Sequence, residues 1–154
     1  MKEYHLLRTL DHPNIIKIRE AYLNHQRETL YLVMDLVEGL TLKNYIKLYK
    51  LKHRQVKTAG GLPEDLCKKL MAQLINIIEY LHSEPISVCH RDLNPSNIMI
   101  TQKTFEDEAV LTLIDFNVAR RFRDPESNSK MLMMTNTGAA AYCSPEIHNG
   151  ASYK

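Results

Sequence analysis

The sequence predicts an α+β fold, on two patterns. Leu66, Leu70, Leu74, Ile77 or Ile78, and Leu81 recur at the spacing of one face of an amphipathic helix. Short apolar runs at Leu30–Met34, Ile98–Ile100 and Val110–Ile114 are bounded by polar turn residues, as strands should be. At 154 residues the chain is one domain by length and long enough to bury a core. A hydrophobic fraction of 44% with 25% charged residues is ordinary for a globular protein.

Taken in order, residues 2–10 read as a short helix, with Leu6 and Leu10 four apart and Glu3 on the face of Leu7. His12-Pro13-Asn14 stops it, because proline cannot extend a helix and restricts the residue before it. Ile16 and Ile18 alternate with charges like a half-buried strand, and Asn24-His25-Gln26-Arg27 is a turn. Leu30–Met34 is expected to be a second, more buried strand. Gly39 then permits a sharp change of direction. Leu42–Ile46 opens a helix, and the basic stretch Tyr49–Lys57 reads as a solvated insertion in preference to a nucleic-acid patch.

Pro63-Glu64-Asp65 starts the long helix over 63–82, with proline early and acids where they favour the helix dipole. A strand at 98–100, a polar turn at 101–108 and a strand at 110–114 follow. Residues 118–137 are rich in Arg, Ser, Asn and Met and show no period.

The chemistry concentrates in Cys89-His90-Arg91-Asp92-Leu93-Asn94-Pro95-Ser96-Asn97 and in Asp115. A potential base, an amide and a carboxylate, each beside a strand, are the parts needed to hold a metal-phosphate and deprotonate a hydroxyl. His90-Arg91-Asp92-Leu93 with Asn97 matches the form H-R-D-L-x-x-x-N, and Asp115-Phe116-Asn117 stands where D-F-G would follow. With His12-Pro13-Asn14 upstream and Gly138–Glu146 fitting G-T-x-x-Y-x-A-P-E, the chain resembles a eukaryotic protein kinase domain of Ser/Thr type over nearly its whole length.

That resemblance implies a partial protein-kinase-like fold: the end of the N-lobe at 1–34, a hinge at 35–39, and part of the mainly helical C-lobe at 40–154. It implies ATP and Mg²⁺ as cofactors and proteins as substrates, with Asp92 as the base and Asn94 beside it in the catalytic set. Asn97 and Asp115 would hold Mg²⁺. Glu3 would be the helix glutamate that pairs with a strand lysine. Met34 would stand at the gatekeeper position, the backbones of Asp35 and Val37 would meet the adenine, and Met99 would lie against the base. Leu7, Ile18, His90 and Phe116 fall where the family stacks its regulatory spine. Residues 118–137 would be an activation-type loop. Arg91 would grip a phosphate on Thr135, or as second choice Thr137, because guanidinium and phosphate pair bidentately.

Three positions depart from the family pattern. Asn94 replaces a lysine that faces the transferred phosphoryl, for an expected loss of about 10²–10³-fold. Ala139 replaces a threonine that bonds that lysine and the aspartate, so two partners are expected to be missing together. Asn117 replaces glycine, and because asparagine is the next most tolerant residue of left-handed conformations the expected cost is no more than about 1–2 kcal/mol.

The chain begins at the family's helix C and stops eight residues after Glu146, so a central segment of the domain is expected, from a truncated gene product or an incomplete gene model. The scattered Cys67, Cys89 and Cys143 fit a reducing compartment, and the N-terminus has no signal-peptide pattern. With no run of about 20 apolar residues, an intracellular, soluble domain (cytoplasmic or nuclear) is expected, with no nucleic-acid or membrane partner. Three readings stand: a Ser/Thr-type kinase active when complete, with little or no catalysis expected of this segment alone, a pseudokinase or nucleotide- or protein-binding module without turnover, and a small-molecule phosphotransferase. Asn94 and Ala139 favour the second; His12-Pro13-Asn14 and Ser144-Pro145-Glu146 disfavour the third.

Overall fold

The computed structural model describes residues 2–53, 61–102, 108–123, 129 and 138–149, with only the backbone described at 2, 3, 146 and 148. Helix α1 (Lys2–Arg8) leads through the His12-Pro13-Asn14 turn to an antiparallel pair, β1 (Ile18–Asn24) and β2 (Thr29–Met34). Ile16 is buried but lies just ahead of β1, its N–H bonded to the carbonyl of Leu113. Asn24 shapes the turn between the strands, its Oδ1 accepting the N–H groups of Gln26 and Arg27 at 3.1 and 3.2 Å.

β2 is less buried than its apolar composition predicts. Tyr31, Val33 and Met34 are all exposed, because the sheet has two strands and no second layer covers its outer face among the described residues.

β3 (Leu40–Thr41) pairs with β5 (Ile98–Thr101), which pairs in turn with β6 (Val110–Leu113). Gly39 is needed here for space. It has no positive φ, but a Cβ on it would stand 2.2 Å from the carbonyl oxygen of Ile100. Thr41 caps α2 (Leu42–Lys52), its hydroxyl accepting the N–H of Asn44. Tyr49–Lys52 therefore belongs to this helix and not to an insertion, and Tyr45 anchors it in the core.

α3 (Glu64–His82) turns Leu70, Ile77 and Leu81 into the core; Pro63 stands at its N-cap position without a side-chain cap bond. Ser83 closes it, its N–H returning to Glu79 O and its hydroxyl to Tyr80 O. Beyond it, β4 (Val88–Cys89) pairs with β7 (Arg120–Arg121), an interaction with no hydrophobic period to announce it. A 3₁₀ turn (Ala140–Tyr142) and the short α4 (Pro145–His148) complete the described chain. Leu7, Ile18, His90 and Phe116 are all buried within the core.

Among the described residues no helix is long and apolar enough to cross a membrane, and Cys67, Cys89 and Cys143 are free thiols.

Candidate active site

β4 delivers the chain into the loop 90–97, and β5 carries it away. The loop is fixed from within. His90 is buried, its ring edge-on to Phe116 at 4.8 Å, and its Nδ1 accepts the N–H of Asp92 at 3.3 Å. Burial lowers the His90 pKa to about 4, outweighing the opposing pull of the Asp115 and Asp92 charges, so the imidazole is neutral near pH 7. Arg91 takes a positive φ of 68° and donates from Nε to Val118 O at 2.6 Å, tying the loop to the segment after Asp115.

Asp92 is the centre of the polar network. Its Oδ1 accepts from Asn94 Nδ2 at 3.0 Å and from the Ala139 backbone N–H at 2.7 Å. Its Oδ2 accepts from Asn97 Nδ2 at 2.8 Å. Desolvation works to raise the Asp92 pKa. The hydrogen bonds from Ala139, Asn94 and Asn97 outweigh it and hold the carboxyl below its ordinary value. The group is therefore an anion with fixed orientation.

Asn94 and Asn97 also brace the loop. Asn94 Oδ1 accepts the Ser96 N–H at 2.9 Å, and Asn97 N–H reaches Asn94 O at 3.0 Å. Asn97 O accepts from Ile114 N at 3.1 Å, which sets the asparagine directly beside the residue preceding Asp115. Asp115 Oδ1 accepts the Asn117 N–H at 3.0 Å. Among the described residues nothing donates to Asn97 Oδ1 or Asp115 Oδ2. One amide oxygen and one carboxylate oxygen are the hard donors that Mg²⁺ takes alongside phosphate oxygens, so these residues fit that ion.

Two expectations about departures change. Ala139 has no hydroxyl to offer Asp92, as expected, but its backbone N–H supplies a donor in addition, one that side-chain identity cannot reveal. Asn117 has no positive φ, so it carries no left-handed strain, and its N–H closes a turn on Asp115.

The remaining predicted residues lie as follows. Met34 ends β2 and is exposed; Asp35 N–H donates to Lys17 O at 3.0 Å. The Asp35 carboxylate is gripped by Arg19 through both Nε and Nη2, which holds its pKa below the usual carboxylate range. Val37 is half-buried against the core, and Met99 is half-buried in β5 opposite Thr112. Glu3 falls in α1, but its side chain lies outside the described residues, as do Thr135 and Thr137 altogether.

Arg121 was not singled out by sequence reasoning. It donates to Pro85 O at 3.2 Å, Ile86 O at 2.6 Å and Thr9 Oγ1 at 3.2 Å, joining β7 to the end of α1. Its signal is lost among the neighbouring arginines at 120 and 123.

Comparison with known proteins adds an independent line. The family model described as protein kinase domain matches residues 1–154. The chain is 32% identical over 152 residues to the SNF-related serine/threonine-protein kinase of Homo sapiens, covering 99% of this chain and 17% of that protein. It is 35% identical over 156 residues to the probable serine/threonine-protein kinase fhkE of Dictyostelium discoideum, covering 97% of this chain and 19% of that protein. To calcium-dependent protein kinase 3 of Plasmodium yoelii yoelii it is 31% identical over 149 residues, covering 97% of this chain and 24% of that protein. The chain thus spans between 17% and 24% of the length of these curated relatives.

Proposed function

This chain belongs to the protein kinase domain family, and from that premise we propose that the kinase domain of which it forms part transfers the γ-phosphate of ATP to serine or threonine hydroxyls of proteins. The observation that carries the reading is the carboxylate of Asp92, ionised and held by three donors, with Asn97 linking it to the strand that ends before Asp115. Asp92 orients the incoming hydroxyl and accepts its proton, a role worth about 10²–10⁴-fold. Asn97 Oδ1 and Asp115 would hold Mg²⁺, which when bound supplies charge neutralisation at the phosphates.

In this reading 1–34 is the end of an N-lobe, 35–39 the hinge and 40–154 C-lobe. The backbones of Asp35 and Val37 meet the adenine, Met34 stands beside it, Met99 lies against its face, and Glu3 pairs with a lysine of the nucleotide site. Arg91 receives a phosphate on Thr135 or Thr137. Asn94 belongs to the catalytic loop. The protein works inside the cell, in cytoplasm or nucleus, which the free thiols support.

A second reading, a nucleotide- or protein-binding module without turnover, has one observation in its favour: the Asn94 amide is uncharged and turned toward Asp92. Radiolabelled phosphate transfer to a mixed Ser/Thr peptide library separates the two. The kinase reading expects Mg²⁺-dependent incorporation that falls about 10²–10⁴-fold in Asp92→Asn. Mg²⁺-ATP binding without any incorporation would establish the module instead.

A further inference from the structure

We propose that Asn94 and the backbone amide of Ala139 form a single positioning device for Asp92, so that Asn94 serves the reaction through that carboxylate and does not touch the transferred phosphoryl group. The inference rests on the kinase reading of Asp92 and goes further in assigning the residue at position 94 a task.

Both ends of the Asn94 side chain are spent inside the loop. Its Nδ2 lies 3.0 Å from Asp92 Oδ1 and 3.3 Å from Asp92 O, which uses both amide hydrogens. Its Oδ1 accepts the Ser96 N–H, and the residue is buried. Reaching a phosphate would mean breaking all three bonds and exposing a group that is now satisfied, a cost no neutral amide–phosphate contact offsets.

The second donor comes from a different part of the chain. Gly138 has φ +102°, and a Cβ there would stand 2.4 Å from Arg91 O. Only a glycine lets the backbone lie this close on the loop, and that approach aims the Ala139 N–H at Asp92 Oδ1, 2.7 Å away. Arg91 meets it with its own positive φ. Two donors from opposite sides therefore fix Oδ1, while Oδ2 takes one bond from Asn97 and keeps a lone pair for a hydroxyl. A carboxylate pinned at one oxygen cannot rotate its other oxygen away from the acceptor position.

The test compares Asn94→Ala, Gly138→Ala and the double variant in steady-state phosphorylation of a peptide substrate. Each single change is expected to lower kcat by about 10–100-fold, the scale of small misplacements of a reacting group, with KM for ATP and peptide within about twofold. The double variant should lose little more than the worse single one, because Oδ1 is held in position only while both donors bind it. A raised KM for ATP in Asn94→Ala, or losses that multiply, would overturn the device. Hydrogen exchange at the Ala139 amide supplies a readout that needs no turnover. It should be slow in the parent protein and faster in both Asp92→Ala and Asn94→Ala; unchanged exchange in Asp92→Ala would refute the bond on which the proposal stands. If the parent protein transfers no phosphate, the kinase reading falls by itself, and the exchange result still decides the device.

Discussion

At Gly39 a methyl group would stand 2.2 Å from the oxygen and 2.9 Å from the carbon of the Ile100 carbonyl, both rigid backbone atoms of a central strand. Neither can yield without parting β3 from β5, where Leu40 pairs with Ile100 and Thr41 with Met99. Gly39→Ala is therefore expected to cost about 1–3 kcal/mol, the scale of overpacking in a filled site. Gly61 is the internal control, since nothing among the described residues lies within 4 Å of a Cβ there. Gly61→Ala should leave the urea midpoint where it is or raise it slightly by restricting the unfolded chain. Equal midpoints for the two variants would show that the β3–β5 approach is looser than the geometry requires. The same distinction between space and backbone angle governs Gly138, where both demands coincide, and Asn117, where neither does.

Helix α3 shows the clearest division of labour within one element. Ile77 and Leu81 have no exposed surface, while Ile75, two residues from Ile77 and on the other side of the helix, is 61% exposed. Ile77→Ala should destabilise by about 2–5 kcal/mol through lost contacts and the cavity left behind. Ile75→Ala should stay within about 0.5 kcal/mol. Chemical denaturation of the two variants checks this, and comparable losses would mean that the outer face of α3 is covered in solution. This helix was legible in the sequence because its apolar spacing runs through five turns. The two-residue strands β3, β4 and β7 were not, since a period cannot be read from two residues and each is held by a partner far along the chain. β2 was legible as a strand but not in its burial, which depends on what packs over it. The site divides in the same way. Asp92, Asn97 and Asp115 were visible as residue types at set spacing, whereas the Ala139 donor is a backbone group whose direction is set by Gly138.

The N-terminal helix and strands join the rest of the molecule through a small polar junction. The His12-Pro13-Asn14 turn lies along β6, with Leu113 N–H donating to Asn14 O at 2.8 Å, Ile16 N–H to Leu113 O at 2.9 Å, and a parallel bridge between Ile15 and Leu113. Asn14 Nδ2 then reaches across to Leu111 O at 2.7 Å and Gln73 Oε1 at 3.3 Å. Gln73, from the middle of α3, accepts the Leu111 N–H at 2.9 Å and donates to Ala109 O at 2.9 Å. Two side chains thus satisfy the edge of β6 where no further strand pairs with it among the described residues, and they clamp turn, strand and long helix together. Leu111 and Ala109 are themselves buried, so losing these donors and acceptors strands backbone groups away from water. Asn14→Ala and Gln73→Ala should each cost about 1–3 kcal/mol. Because both act on Leu111 and touch each other, the double variant should cost less than the sum by about 1 kcal/mol. A thermodynamic cycle from equilibrium unfolding measures that coupling, with Tyr80→Phe, which removes only the acceptor for the Asp11 N–H, as a change outside the pair. Strict additivity of Asn14 and Gln73 would mean that the turn and α3 hold β6 independently. Coupling would mean that a single hydrogen-bonded unit sets how the segment ending at Met34 is placed against the strand leading to Asp115.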